Sequence, residues 1–416
     1  MKNEQTTPSS TAYVHPRNQT DMMGASMMPV YQTSAFSHST AAELEQIFKN
    51  QKPGYAYSRV GNPTVNAFEN QMARLEGGLS ATACASGSAA IACCFLTLLK
   101  SGDSIVAPAG LYGGTLNWLK ELEAFGITTR LIADFSAQNV EAAIDATTRF
   151  VFTEIISNPK LEVVDVGALA EIAHNANIPL IVDATAVTPA LMCPIAYGAD
   201  IVIHSSSKYI NGNGTAISGV IVDGGRFPWK KSGKFDDVLP CKKFGPAAFT
   251  AKLRNSTWQN IGACLAPVHA WLNMTGLETL PLRMKQICSS AKALAEFLEA
   301  SENVQTVNYP GLASSPWHKQ TAQFAAGQAG GILTIRVGSK ERAFSLIDHL
   351  KLALNLPNIG DTKTLVLHPA STIFIHSDPA AREAAGVFED TVRISVGLET
   401  CSDIIADFNG ALKAMA

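Results

Sequence analysis

The chain has 416 residues, 47% hydrophobic and 16% charged, which at ~150 residues per domain suggests roughly two to three domains with real cores. So apolar a chain can offset its ordering entropy, which excludes disorder as the main state. A formal net charge of -3 without a long charge run excludes the bulk electrostatics of a nucleic-acid or anionic-membrane binder.

Eight cysteines with no CxxC pair read as reduced thiols, not as a disulfide frame or a zinc site. The first twenty residues hold no apolar signal core, so a cytoplasmic protein is expected. Residues 1–60 read as an irregular polar arm that wraps a neighbour or stays partly disordered. Gly77 to Leu99 carries no charge and reads as a buried loop and helix, not a membrane span. From 61 to about 225, short β-branched runs appear at 104–108, 128–134, 149–155, 178–184, 199–204 and 218–224. Helical stretches such as Asn117 to Phe125 and Val166 to His174 lie between them. Such alternation predicts a mostly parallel sheet covered on both faces, with ligands at the carboxyl ends of its strands. Residues 226–275 are less regular and hold a Lys-rich segment at 230–243. Met284, Ile287, Ala291, Leu294 and Leu298 then mark one apolar helix face. Strands at 331–337 and 391–397 with helices at 340–353 and 402–414 make an α+β C-terminal part. The expected division is an arm (1–60), a large domain (61–275) and a C-terminal domain (276–416).

Three elements carry chemistry. Asp183 ends the strand IPLIVDA, where a carboxylate is either a helix cap or a ligand contact. The next strand ends at His204 and runs into Ser205, Ser206, Ser207 and Lys208. Hydroxyls and N–H groups there can hold a phosphate, and a desolvated lysine beside them can form an imine; the bland reading is a surface loop with a solvated lysine. Gly212, Gly214 and Gly219 follow, but Ile217 stands where a dinucleotide fingerprint needs a small residue. The third element, Ser86-Gly87-Ser88, opens an apolar helix and is either an anion site or a plain capped start. Together the three describe pyridoxal 5′-phosphate (PLP), which needs a lysine, a carboxylate at its ring nitrogen and a phosphate cradle. Tyr112, just past a strand, could cover the ring.

The chain resembles the Cys/Met-metabolism family of PLP enzymes nearly end to end. The resemblance rests on YSRVGNPTVNAFENQMARLEGG (57–78), ASGSAAI (85–91), LYGGT (111–115), SNPKLEVVDV (157–166), IVDATAVTP (181–189), HSSSKYINGNGTAISGVIVDGG (204–225), NIGDTKTLVLHPAS (358–371) and TVRISVGLE (391–399). Within the family, FGPAAFTAKLRN (244–255) and GLETLPLRM (276–284) are most similar to the O-acetylhomoserine sulfhydrylases. The resemblance implies the aminotransferase-like fold, a tetramer of two tight dimers, and γ-replacement on O-acetylhomoserine by a sulfur nucleophile. The alternatives it leaves are a γ-lyase and an O-succinylhomoserine enzyme. It implies Lys208 as the imine-forming lysine, Asp183 at the ring nitrogen and Tyr112 on the ring. Ser86, Gly87, Ser88, Thr185, Ser205 and Ser207 would bind the cofactor within one subunit, and Tyr57 and Arg59 would reach it from the neighbour. Asn158, Asn358 and Arg393 would hold the substrate. A thiocarboxylated carrier protein is one candidate sulfur donor, with 230–243 as its docking face.

The chain departs from the family at three places. Ala184 stands where the family usually has Asn, Phe374 replaces a histidine, and three serines precede the lysine. The first two are expected to alter the pocket wall. Gly114 stands where methionine γ-lyases typically have cysteine, and is expected to leave that wall open or to be simply a turn glycine.

Overall fold

The computed structural model describes residues 7–15, 21, 23–239 and 241–415. Its larger sheet has the strand order β1-β7-β6-β5-β4-β2-β3. The strands are β1 (Ser80–Cys84), β2 (Ser104–Pro108), β3 (Thr128–Ile132), β4 (Thr148–Glu154), β5 (Leu180–Asp183), β6 (Ile201–His204) and β7 (Gly219–Asp223). Only β7 runs against its neighbours, β1 and β6. A second sheet, ordered β10-β11-β12-β9-β8, holds β8 (Thr306–Asn308), β9 (Ile332–Arg336), β10 (Leu354–Asn355), β11 (Leu365–Leu367) and β12 (Thr391–Ser395). It is antiparallel apart from the β10–β11 pair.

Strand alternation divides the core of the larger sheet. Val106, Val151, Val182, Val202 and Val220 face one apolar layer, and Ile105, Phe150, Phe152, Ile181, Ile203 and Ile221 face the other. Both faces are dry, which is why these strands read as continuous apolar runs. The helix Pro267–Glu299 joins this core to the C-terminal one: Leu277, Leu280, Met284 and Ile287 pack on the first, and Ala291, Leu294 and Leu298 on the second. Residues 275 and 276 lie inside that helix.

The uncharged stretch 77–99 is more than a loop and helix. It holds β1, paired in register with β7 from Ser80↔Asp223 to Cys84↔Gly219. Only then does helix α4 (Gly87–Leu98) begin; the earlier helices are α1 (Ser10–Val14), α2 (Ala41–Phe48) and α3 (Pro63–Glu76). The arm is thus less irregular than expected. Thr40 caps α2 by accepting from the Glu43 N–H, yet α2 buries none of its residues. α3 has Asn62 as cap, Pro63 in its first turn and Gly77 at φ +71° as its stop. The helix expected from Asn117 already starts at Gly113. Among the described residues no helix is long and apolar enough to cross a membrane, no acidic, histidine or cysteine cluster could hold a metal, and the described cysteines are free thiols.

Candidate active site

Parallel strands deliver their carboxyl ends to one edge of the sheet. There β4 ends on Glu154, β5 on Asp183 and β6 on His204, with Glu154 in register beside Asp183. A cleft of about 1030 Å³, mouth included, opens over this edge. Every predicted site residue lines it except Tyr57 and Arg59.

At one end, α4 points its N-terminus into the cleft. The Ser86 hydroxyl accepts from the Ala89 N–H at 3.0 Å, so Ser86 is the cap. The Gly87 and Ser88 N–H groups have no acceptor within the helix. Opposite them, the Ser205 and Ser207 hydroxyls lie 2.9 Å apart. The approach is close enough that a Cβ on Gly87 would stand 2.6 Å from the Ser205 Cβ. A positive helix end facing paired hydroxyls suits a phosphate ester.

Further along, Asp183 accepts from the Thr185 N–H at 2.8 Å, and the Thr185 hydroxyl accepts from the Ser205 N–H at 2.8 Å. Burial pushes the Asp183 carboxyl up, while the Thr185 bonds and His204 pull it down. Glu154, which sequence reasoning missed, accepts from the Tyr112 N–H at 2.8 Å. Burial and the neighbouring Asp183 push Glu154 well above the usual carboxylate range. Two buried carboxyls thus stand side by side, both pushed up by burial, with Glu154 raised further by the charge of Asp183. A buried carboxylate with one hydrogen-bonded oxygen suits a protonated ring nitrogen. Its position at the end of the apolar run 149–155 was the only sequence signal for Glu154.

Lys208 donates to Asn358 Oδ1 at 2.6 Å. Burial, and then the Arg393 charge, pull its amine down to about 8, so a neutral amine is available for bonding to an aldehyde. Arg393 is buried on β12, donating to Asn158 Oδ1 at 3.2 Å and to the Asn358 carbonyl at 3.0 Å. Burial pulls its guanidinium down to about 10, and it makes no ion pair with a carboxylate among the described residues. A desolvated fork of this kind suits an incoming carboxylate. Tyr112 is 43% exposed at the cleft mouth. The residues present therefore fit PLP at its phosphate, its ring nitrogen and its aldehyde carbon.

Two expectations need correction, one for Ala184 and Phe374 and one for Gly114. Ala184 is fully buried in the core and Phe374 packs with Ala370, Ala385 and Val387; neither lines the cleft, so these departures do not reshape its wall. Gly114 leaves no open wall either, because a Cβ there would stand 2.6 Å from the Tyr112 ring. Tyr57 and Arg59 lie outside their own chain's cleft. Tyr57 pairs with Ala35 in an isolated bridge, and Arg59 donates to the Gln259 carbonyl at 2.8 Å.

A sulfhydrylase of Fusarium oxysporum is 42% identical to the chain over 400 residues, covering 93% of this chain and 92% of that protein. An O-acetyl-L-homoserine sulfhydrylase of Corynebacterium glutamicum is 40% identical over 406 residues, covering 93% and 92%. A crystal structure from Campylobacter jejuni, assigned as an O-acetylhomoserine (thiol)-lyase and carrying a pyridoxyl-lysine phosphate, superposes with a TM-score of 0.94 at 32% identity. That match covers 97% of this chain and 99% of the other. With a family profile matching residues 10–413, the chain belongs to the Cys/Met metabolism PLP-dependent enzymes.

Proposed function

We propose that the chain catalyses γ-replacement on O-acetyl-L-homoserine, in which acetate leaves the γ carbon and a sulfur nucleophile takes its place to give L-homocysteine. One observation carries the reading: Asn358 joins Lys208, whose amine burial pulls down to about 8, through its side chain, to a buried Arg393 without an acid partner among the described residues, through its carbonyl. An α-amino acid offers an amine to one and a carboxylate to the other. When bound, PLP supplies the electron sink that lets the α and β C–H bonds and the γ C–O bond break. In this reading the Gly87 and Ser88 N–H groups and the Ser205 and Ser207 hydroxyls hold the phosphate, with Ser86 and Thr185 fixing their positions. Asp183 keeps the ring nitrogen protonated, and Tyr112 covers the ring at the mouth. Lys208 anchors the cofactor and, once released, moves the α proton. Asn158, Asn358 and Arg393 fix the substrate carboxylate. Asn158 and Arg393 also exclude water from the depth of the cleft, both being buried.

The proposal extends to the assembly: a homotetramer in which Tyr57 and Arg59, outside their own cleft, complete a neighbour's phosphate site. The division into arm, large domain and C-terminal domain, a cytoplasmic location and a carrier protein docking on 230–243 belong to the same reading. Acetylhomoserine with sulfide should yield homocysteine much faster than 2-oxobutyrate, and faster than the succinyl ester does. Rapid release of 2-oxobutyrate from methionine alone would move the chain to the lyases.

A further inference from the structure

One buried Glu–His pair lies behind the Ser205–Lys208 turn and lines no part of the cleft. Glu76, the last residue of α3, meets His204, the last residue of β6, at 2.6 Å from Oε1 to Nε2. Both side chains are fully buried. Glu76 Oε2 and His204 Nδ1 make no further hydrogen bond among the described residues. A pair this dry stabilises a fold poorly, because desolvation consumes most of its attraction. What it does provide is a fixed distance between two elements.

The elements it fixes matter. His204 is in register with Val220 of β7, and the next residue, Ser205, opens the turn that carries Ser207 and Lys208. Glu76 ends a helix that is also held further back: Glu69, two turns earlier on it, accepts from the Ala83 N–H at 2.8 Å on β1. The helix that ends on Glu76 is covered in turn. α1 lies on α3, with Gln71 donating to the Tyr13 carbonyl at 2.9 Å and Arg74 donating to the His15 carbonyl at 3.0 Å. The Tyr13 ring is fully buried, and burial first, then Cys193 and Glu76, push its phenol well above the usual range. Its hydroxyl makes no hydrogen bond among the described residues, so the ring serves by filling space.

We propose that Glu76 and His204 are positioning residues for the Ser205–Lys208 turn, and that α1, through Tyr13, is the strap that keeps water from their pair. No atom of the three lines the cleft. Besides the turn, His204 can reach the site only through its charge on Asp183, a path that the uncharged donor of His204→Gln separates from positioning.

The test uses holoenzyme and reads PLP release by loss of its bound absorbance, beside the urea midpoint for unfolding. Neither readout needs a substrate, so the result stands apart from the choice of acetylhomoserine. Glu76→Leu and His204→Leu each leave a buried group unpaired, and both readouts should fall. The double variant Glu76→Leu with His204→Leu removes the unpaired group and should recover the urea midpoint. Its PLP release should still be about tenfold faster than wild type, because the turn has lost its reference point. Return of release to the wild-type rate in that double variant would make the pair merely structural and overturn the proposal. His204→Gln, which can still donate to Glu76, should release PLP within about twofold of wild type. Should the single leucine variants fail to fold, the double variant and His204→Gln decide the matter. For the strap, Tyr13→Phe should behave as wild type, whereas Tyr13→Ala should speed PLP release several-fold. Unchanged release in Tyr13→Ala would overturn the strap.

Discussion

The two sheets contribute to one cleft in different ways. The larger sheet acts through its ends: Glu154, Asp183 and the turn after His204 all sit where parallel strands stop together. The smaller sheet acts through its face. Arg393 lies mid-strand on β12, opposite Leu367 of β11 and Thr334 of β9. Antiparallel strands stop at alternate edges, so no single edge gathers their ends. A long side chain standing off the face is then the way to reach the cleft. The difference separates the labours: strand ends supply a cradle for a fixed cofactor, and a buried guanidinium supplies a grip for a passing substrate. Asn358 touches both, by side chain to Lys208 and by carbonyl to Arg393.

The largest expected effect would break the assignment of the cofactor to the first sheet. Lys208→Ala should lower turnover by about 10³-fold or more. Borohydride treatment of the wild-type enzyme should fix the cofactor on the peptide holding Lys208, and a label on any other lysine would refute the assignment. Next, Arg393→Lys keeps the charge and loses the fork. KM for the amino-acid substrate should rise about 10- to 100-fold with a much smaller fall in kcat. Equal loss in both would mean that the second sheet also takes part in the chemistry.

A pH series sharpens the contact between the sheets. Only a neutral amine bonds the cofactor aldehyde, and the Lys208 amine titrates at about 8 because of burial and the Arg393 charge. Below that pH the amine is protonated, so cofactor uptake by the stripped enzyme should rise about tenfold from about pH 7 to about pH 9 and then level. Arg393→Gln removes the like charge, raises the lysine and moves this rise to higher pH. A profile that stays put would show that the second sheet does not act on the lysine. The smallest effect concerns Phe374→His, which puts in place the histidine that the family resemblance leads one to expect. It should cost ~1–3 kcal/mol of stability, because a polar ring enters an apolar cluster, and leave KM within about twofold.

The larger sheet was readable because burial on both faces makes β5 and β6 uninterrupted apolar runs, and because Ser205–Lys208 breaks so sharply from them. β1 was not, since Ser-Ala-Thr-Ala-Cys has no β-branched run and owes its pairing to β7, far along the chain. Glu154 hid inside an apolar run, and its role depends on Asp183 beside it in register. The partner of His204 lies 128 positions away, a distance at which no local pattern signals a pair. Ala184, Phe374 and Gly114 were legible as departures, but a departure gives an identity and not the direction in which a side chain points. The arm could be read for composition alone; Tyr13 is buried by what α3 and its neighbours present to it.

The helix Pro267–Glu299, about 50 Å long at ~1.5 Å per residue, is a wall of both cores. Melting either core strips apolar cover from the same helix and so weakens the other. The chain should therefore lose its structure on heating in one cooperative step, with calorimetric and van't Hoff enthalpies in agreement, where two cores joined by a loop would give two.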